Sequence, residues 1–216
     1  MPQQGILIVV SGPSGTGKGT VCRELLRSNS HLKYSISATT RSPRAGEVDG
    51  INYLFVAKDQ FRKMIDNDDL LEWAEVYGNF YGTPRYYVVE QLNRGYDVIL
   101  EIDTQGAMKV KEKFPEGVYI YIIPPSLDEL ADRIHKRGTD SLEVIKKRLE
   151  CASDELSVAH NYHYIVMNDQ VAAAVQKIKT IIAAEKLRAQ RNTALIDNLY
   201  CTGCVSEEPP TPINNK

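Results

Sequence analysis

The chain has 216 residues, 43% of them hydrophobic and 25% charged, with 14 glycines and 10 prolines, which excludes collagen-like, disulfide-dense and wholly disordered classes. At this length one core buries roughly 70% of the surface an unfolded chain exposes, so a single domain with inserted subregions is expected. The 26 Lys and Arg nearly balance the 28 Asp and Glu, for a net charge of −2, which argues against a bulk nucleic-acid or anionic-membrane binder but allows a local basic pocket. The longest apolar strings, residues 6–10 and 118–123, are too short to span a bilayer, and no secretory leader pattern opens the sequence. Four cysteines, Cys22, Cys151, Cys201 and Cys204, form no disulfide framework, so a reducing, cytoplasmic setting is expected.

In chain order, residues 6–10 read as a strand buried on both faces, running into the glycine-rich turn that starts at Ser11. Val21, Leu25 and Leu26 recur at helical spacing over about 16–27. Residues 34–94 differ in texture: strand-like pieces at 34–37, 51–56 and 70–77 alternate with turn clusters. Thr83 before Pro84 then reads as an N-cap with proline at the first helical position, opening a helix that stops near Gly95. Alternation resumes with a strand at 98–102, a helix at 104–114 and a strand at 118–123. Ser126 and Glu129 form a capping box for a helix that stops at Gly138. Asp140 and Glu143 open a helix at about 141–157, residues 164–167 form a last strand, and a long helix runs from 170 to about 192. Such alternation predicts an α/β fold with a central parallel sheet and an inserted small α+β region. The proline-rich end, with Pro209, Pro210 and Pro212, reads as a flexible tail.

The strongest local signal is the run Gly12, Pro13, Ser14, Gly15, Thr16, Gly17, Lys18, Gly19 and Thr20 between a strand and a helix. Glycines let backbone amides turn inward around phosphate oxygens, the helix start adds positive potential, and Lys18 reaches the outer phosphates. The strict pattern has Ser or Thr directly after the lysine to hold Mg²⁺, whereas this chain has Gly19 there and Thr20 one step later. Either phosphates and water hold most of the metal, or Thr20 takes part of the role. A second constellation, Ser37, Arg41 and Arg44 around Pro43, suits bidentate capture of a phosphate monoester, or else forms a solvated basic loop.

The phosphate loop, the segment Arg41 to Glu47, Leu71 to Ala74 with Gly78 to Thr83, Ile102 to Gly106, and Arg137 to Thr139 together resemble guanylate kinases in order and spacing, over about residues 5–187. The resemblance implies a P-loop three-layer fold with a helical lid. Its core would comprise 1–33, 96–136 and 151–198, its GMP-binding insertion 34–95, its lid 137–150 and its flexible tail 199–216. It implies ATP binding by Gly12 to Thr20 with Arg133, Arg137 and Asn168, and GMP binding by Ser37, Arg41, Arg44, Tyr53, Glu72, Tyr81, Thr83 and Asp103. Lys18, Arg41, Arg44, Asp103, Arg133, Arg137 and Arg148 would form the catalytic set, with Mg²⁺ as cofactor near Thr20 and Asp103. Guanine chemistry agrees: its N1–H and N2–H donors suit one carboxylate, and adenine would leave Glu72 unpaired at a cost of roughly 1–3 kcal/mol.

The reaction so implied is ATP + GMP to ADP + GDP, with dGMP also accepted, within purine nucleotide metabolism. ATP and GMP are then the partners, with no nucleic acid and no membrane, and the oligomeric state stays open. Two alternatives remain. Another nucleoside monophosphate kinase is suggested by the Gly19 and Thr20 loop ending, and a non-catalytic guanylate-kinase-like binding module is a different class. Glu101, also at the end of a strand, reads equally as a ligand-facing acid or a solvated one, and Cys201 with Cys204 as free thiols.

Overall fold

The computed structural model describes residues 4–44, 46–76, 78–136 and 157–202. Strand β1 (Leu7–Ser11) lies at the centre of a five-stranded sheet. On one side of it run β7 (Asp97–Glu101) and then β2 (Leu32–Tyr34), and on the other β8 (Val118–Ile123) and then β9 (Tyr164–Met167). Every pairing is parallel. A parallel sheet must be covered on both faces, and the period of two in β1 divides its side chains accordingly. Ile8 and Val10 pack with Val21 and Leu25 of α1 (Lys18–Arg27) and with Ile178 and Ile182 of α6 (Val171–Lys186). Leu7 and Val9 point the other way, towards Val88 and Leu92 of α3 (Arg85–Asn93) and Ala107 and Val110 of α4 (Thr104–Lys113).

The insertion has its own small core. Strands β3 (Ala38–Thr39), β4 (Leu54–Phe55), β5 (Leu70–Val76) and β6 (Asn79–Pro84) form a second sheet in the order β4-β3-β6-β5. Helix α2 (Lys58–Asp66) covers it through Phe61, which packs with Ala38 and Leu70 and stacks on Phe80 at a centroid distance of 5.5 Å.

Strands 118–123 and 164–167 stand as expected, and Ser126 Oγ accepts from the Glu129 amide at 3.1 Å to start α5 (Leu127–Lys136). Four expectations need correction. Residues 34–37 do not form one strand: β2 ends at Tyr34 inside the main sheet, and β3 begins at Ala38 in the small one. Helix α2 was not expected. Thr83 is not an N-cap: the strand β6 continues to Pro84, which itself occupies the cap position, and the Thr83 hydroxyl bonds to Glu72 instead. The last long helix stops at Lys186, where Asn192 Nδ2 donates to the Lys186 and Arg188 carbonyls at 2.7 and 2.9 Å, and a separate helix α7 (Thr193–Thr202) follows. That helix extends into residues expected to belong to the tail. The Gly138 stop, the helix at 141–157 and the 137–150 lid lie outside the described residues.

Candidate active site

The carboxyl edge of the main sheet delivers β1 into the glycine-rich loop and β7 into Glu101 and Asp103. Gly12 lies where β1 leaves the sheet, and a Cβ there would meet the Ile122 carbonyl at 2.2 Å. Gly17 takes φ +86° to swing the chain into α1, whose first turn carries no acidic residue, so the positive end of the helix faces the loop unopposed. Lys18 lies back across the loop, with Nζ donating to the Gly12 and Pro13 carbonyls at 2.6 and 3.0 Å. The loop is braced from behind. Asn168, at the end of β9, is buried and donates through Nδ2 to the Thr16 carbonyl at 2.7 Å, while its backbone carbonyl accepts from the Arg133 guanidinium at 3.1 Å.

Two cavities meet at this edge. One, of about 310 Å³, is lined by Gly12, Ser14, Gly15, Gly17, Lys18 and Gly19 with Glu101 and Asp103. The other, of about 400 Å³, opens towards the small sheet and is lined by Ser37, Tyr53, Glu72 and Tyr81, again with Ser14, Glu101 and Asp103. The shared wall brings an anion-binding loop and a carboxylate pocket into one cleft.

Glu72 is 7% exposed and Thr83 1%. The Thr83 hydroxyl donates to Glu72 Oε1 at 2.7 Å. Burial is the main cause that lifts the Glu72 carboxyl to about 7; the Thr83 hydrogen bond opposes the shift and the neighbouring Asp103 charge adds to it. Asp103 caps α4 by accepting from the Gly106 amide at 2.7 Å. Gly106 leaves room for both acids, since a Cβ there would lie 3.0 Å from Glu72 Oε2 and 3.2 Å from Asp103 Oδ1.

The structure thus brings Ser37, Tyr53, Glu72, Tyr81 and Asp103 to one pocket, with Thr83 buried behind Glu72, and Gly12, Ser14, Gly15, Gly17, Lys18 and Gly19 to the other, with Pro13 and Thr16 outside its lining. Arg41 stands at the margin, its guanidinium 5.4 Å from the Tyr53 ring and gripped at both ends of its fork by Glu47 at 2.9 Å. Glu47 also accepts from the Arg44 amide at 2.7 Å; the Arg44 side chain is exposed. Thr20 is exposed, with its hydroxyl accepting from Arg23 at 3.3 Å, and does not line the loop cavity. Arg137 and Arg148 lie outside the described residues. Sequence reasoning assigned no role to Glu47. Its signal was a lone acid three residues beyond Arg44, which spacing alone does not separate from a solvated one.

Fold and loop together define a phosphate-loop α/β protein of the nucleotide-binding kind. Comparison with known proteins narrows this. The family model described as guanylate kinase matches residues 4–185, and the chain belongs to the guanylate kinase family. It is 58% identical to the guanylate kinase of Caldanaerobacter subterraneus subsp. tengcongensis over 193 residues, covering 89% of this chain and 94% of the relative. The guanylate kinase of Desulfitobacterium hafniense is 57% identical, with 87% and 94% covered. Among solved structures, guanylate kinase from Anaplasma phagocytophilum superposes with a TM-score of 0.73 at 34% identity, covering 88% of this chain and 90% of that one.

Proposed function

We propose that the protein transfers the γ-phosphoryl group of ATP to GMP, giving ADP and GDP, with dGMP as a second acceptor. The observation that carries this reading is the shared wall between the two cavities, which sets a phosphate loop and a buried guanine-type carboxylate on either side of Ser14, Glu101 and Asp103. Family membership supports the same reaction.

The roles follow from chemistry. Loop amides and Lys18 hold the donor phosphates, the nucleotide displacing Lys18 from its carbonyl contacts. Glu72 accepts from guanine N1–H and N2–H in its ionised form. Ser37, Tyr53 and Tyr81 face the acceptor phosphate, with Arg41 held in position by Glu47 and Arg44 beside it. Arg133, Arg137 and Arg148 complete the charge neutralisation from the 137–150 lid and its neighbouring helix. The acceptor oxygen is already anionic near neutral pH, so the residues need only align the groups and offset charge.

Mg²⁺ fits the residues present. It is a hard cation that keeps waters and takes one or two carboxylates besides phosphates, and the loop cavity has Glu101 and Asp103 in its wall. When bound, it neutralises phosphate charge. Among the described residues no helix is long and apolar enough to cross a membrane; a cytoplasmic location and independence from nucleic acid belong to the same reading. The test is product analysis with MgATP and GMP. GDP and ADP in equal amounts are expected, and ADP formation that does not require a nucleotide acceptor would overturn the reading.

A further inference from the structure

Strand β5 is irregular at the residue that faces the base. Leu70 pairs with Pro84 and Trp73 with Gly82, so Leu71 and Glu72 together stand opposite Thr83 and β5 carries one residue more than β6. This bulge breaks the alternation of the strand, and Leu70, Leu71 and Glu72 are buried in succession. Leu71 joins a core cluster of the main sheet, while Glu72 turns into the acceptor cavity. A bulged strand has a locally disrupted ladder, so the aim of Glu72 depends on what holds the backbone beside it.

Helix α4 supplies that hold from outside the small sheet. Gly106 lies against the carboxylate, where a Cβ would stand 3.0 Å from Glu72 Oε2. Three residues on, and so on the same helix face, Lys109 Nζ donates to the Trp73 carbonyl at 2.6 Å and lies 5.5 Å from the centroid of the Trp73 ring. The Lys109 charge favours the ionised form of Glu72, which the Asp103 charge opposes. Lys109 lines neither the loop cavity nor the acceptor cavity.

We propose that Lys109 is a positioning residue for guanine recognition: by clamping the Trp73 backbone from α4, it holds the β5 bulge in the register that aims the Glu72 carboxylate at guanine N1–H and N2–H. The inference rests on the kinase reading above and deepens its acceptor site. A lysine serves because its long stem spans from helix to strand, and its ammonium both donates to a carbonyl and rests on an indole ring. Without the clamp the bulge relaxes, and two bonds that need a fixed carboxylate are weakened while the phosphate loop is untouched.

The test is steady-state kinetics of the whole protein with MgATP and either GMP or inosine monophosphate, whose base keeps N1–H but lacks the 2-amino group. In Lys109→Met the KM for GMP should rise about tenfold, with kcat and the KM for ATP within about twofold of wild type. The preference for GMP over inosine monophosphate should fall, because the second bond of the carboxylate depends most on its aim. Lys109→Arg, which keeps a cationic donor, should restore most of both, and Lys109→Gln replaces the methionine variant if that one does not fold. Trp73 is the sole tryptophan, so its emission reports the contact itself and should change in Lys109→Met. An unchanged KM for GMP, an equal loss with both acceptors, a parallel rise in the KM for ATP, an arginine variant no better than methionine, or unaltered Trp73 emission in Lys109→Met each overturns the proposal. If wild-type protein forms GDP and any of these occurs, only the role of Lys109 fails. If it forms no GDP from GMP, the kinase reading fails with it.

Discussion

Glu72 and Lys18 mark the two ends of the cleft, and each leaves a measurable trace. With a carboxyl at about 7, Glu72 is about half protonated at neutral pH and loses an acceptor below it. The KM for GMP is therefore expected to rise as pH falls, by about tenfold at pH 6 relative to its alkaline plateau. Glu72→Gln should remove that part of the profile and leave only the titration of the GMP phosphate. For stability the sign is the reverse of the usual carboxylate. The folded value lies above the ordinary 4.5, so the folded state holds the proton more tightly, and nucleotide-free protein should lose stability as pH rises from about 4.5 to about 7. Denaturant titrations across that range should show a slope that Glu72→Gln flattens. Lys18→Ala is expected to lower turnover by at least about a hundredfold with little change in melting temperature, because Lys18 is only part-buried and its bonds to the Gly12 and Pro13 carbonyls lie within the loop.

At the level of elements, stability depends on a few joints between helices and the sheet. Asp97, at the start of β7, is 1% exposed; it accepts from the Ile6 amide at 3.1 Å and pairs with Lys186, the last residue of α6, at 2.6 Å. Lys186→Met leaves that carboxylate uncompensated and should cost roughly 1–3 kcal/mol, less than a fully buried pair because Lys186 is half in water. Adding Asp97→Asn should recover part of the loss, read by urea unfolding. Asn168→Ala removes the brace on the Thr16 carbonyl and should weaken ATP binding and cost about 1–2 kcal/mol in stability. The same joints explain what sequence patterning reached and what it missed. The branched, near-continuous apolar runs of β1, β7 and β8 were legible because a strand covered on both faces needs little else. Helix α2 offers only Phe61, Met64 and Ile65 to a small core, too short a stripe to stand out. The break after Lys186 is set by Asn192 reaching back to two carbonyls, a contact that helix-compatible residues on either side do not announce. Thr83 has the chemistry of an N-cap, and only the position of Glu72 eleven residues earlier decides where its hydroxyl goes.

Over the whole molecule, one sheet edge organises both substrates. Its β1 end carries the phosphate loop, its β7 end carries Glu101 and Asp103, and the small sheet hangs Glu72, Tyr53 and Tyr81 opposite them. The phosphate loop was readable as a contiguous motif because its function depends on consecutive backbone amides. The acceptor pocket was readable only through resemblance, since its residues are far apart in the chain: Ser37, Tyr53 and Glu72 converge through the pairing of β3, β4, β5 and β6, and Asp103 arrives from the end of β7 in the main sheet. Glu47 escaped both routes because it acts on a neighbour, Arg41, whereas the sequence left Glu101 open between a ligand-facing and a solvated acid, and its carboxylate lies in the space beside Gly19. The near-zero net charge conceals this sorting of acids and bases along one cleft.

The central claim is that a buried carboxylate selects guanine across from a phosphate-donor loop. It is tested most directly by steady-state kcat/KM for GMP and AMP at pH 8 with MgATP, in wild-type protein and in Glu72→Gln. A strong preference for GMP is expected, falling by roughly 1–3 kcal/mol of discrimination in the variant. A wild-type preference for AMP, or a GMP preference that Glu72→Gln leaves intact, would contradict it.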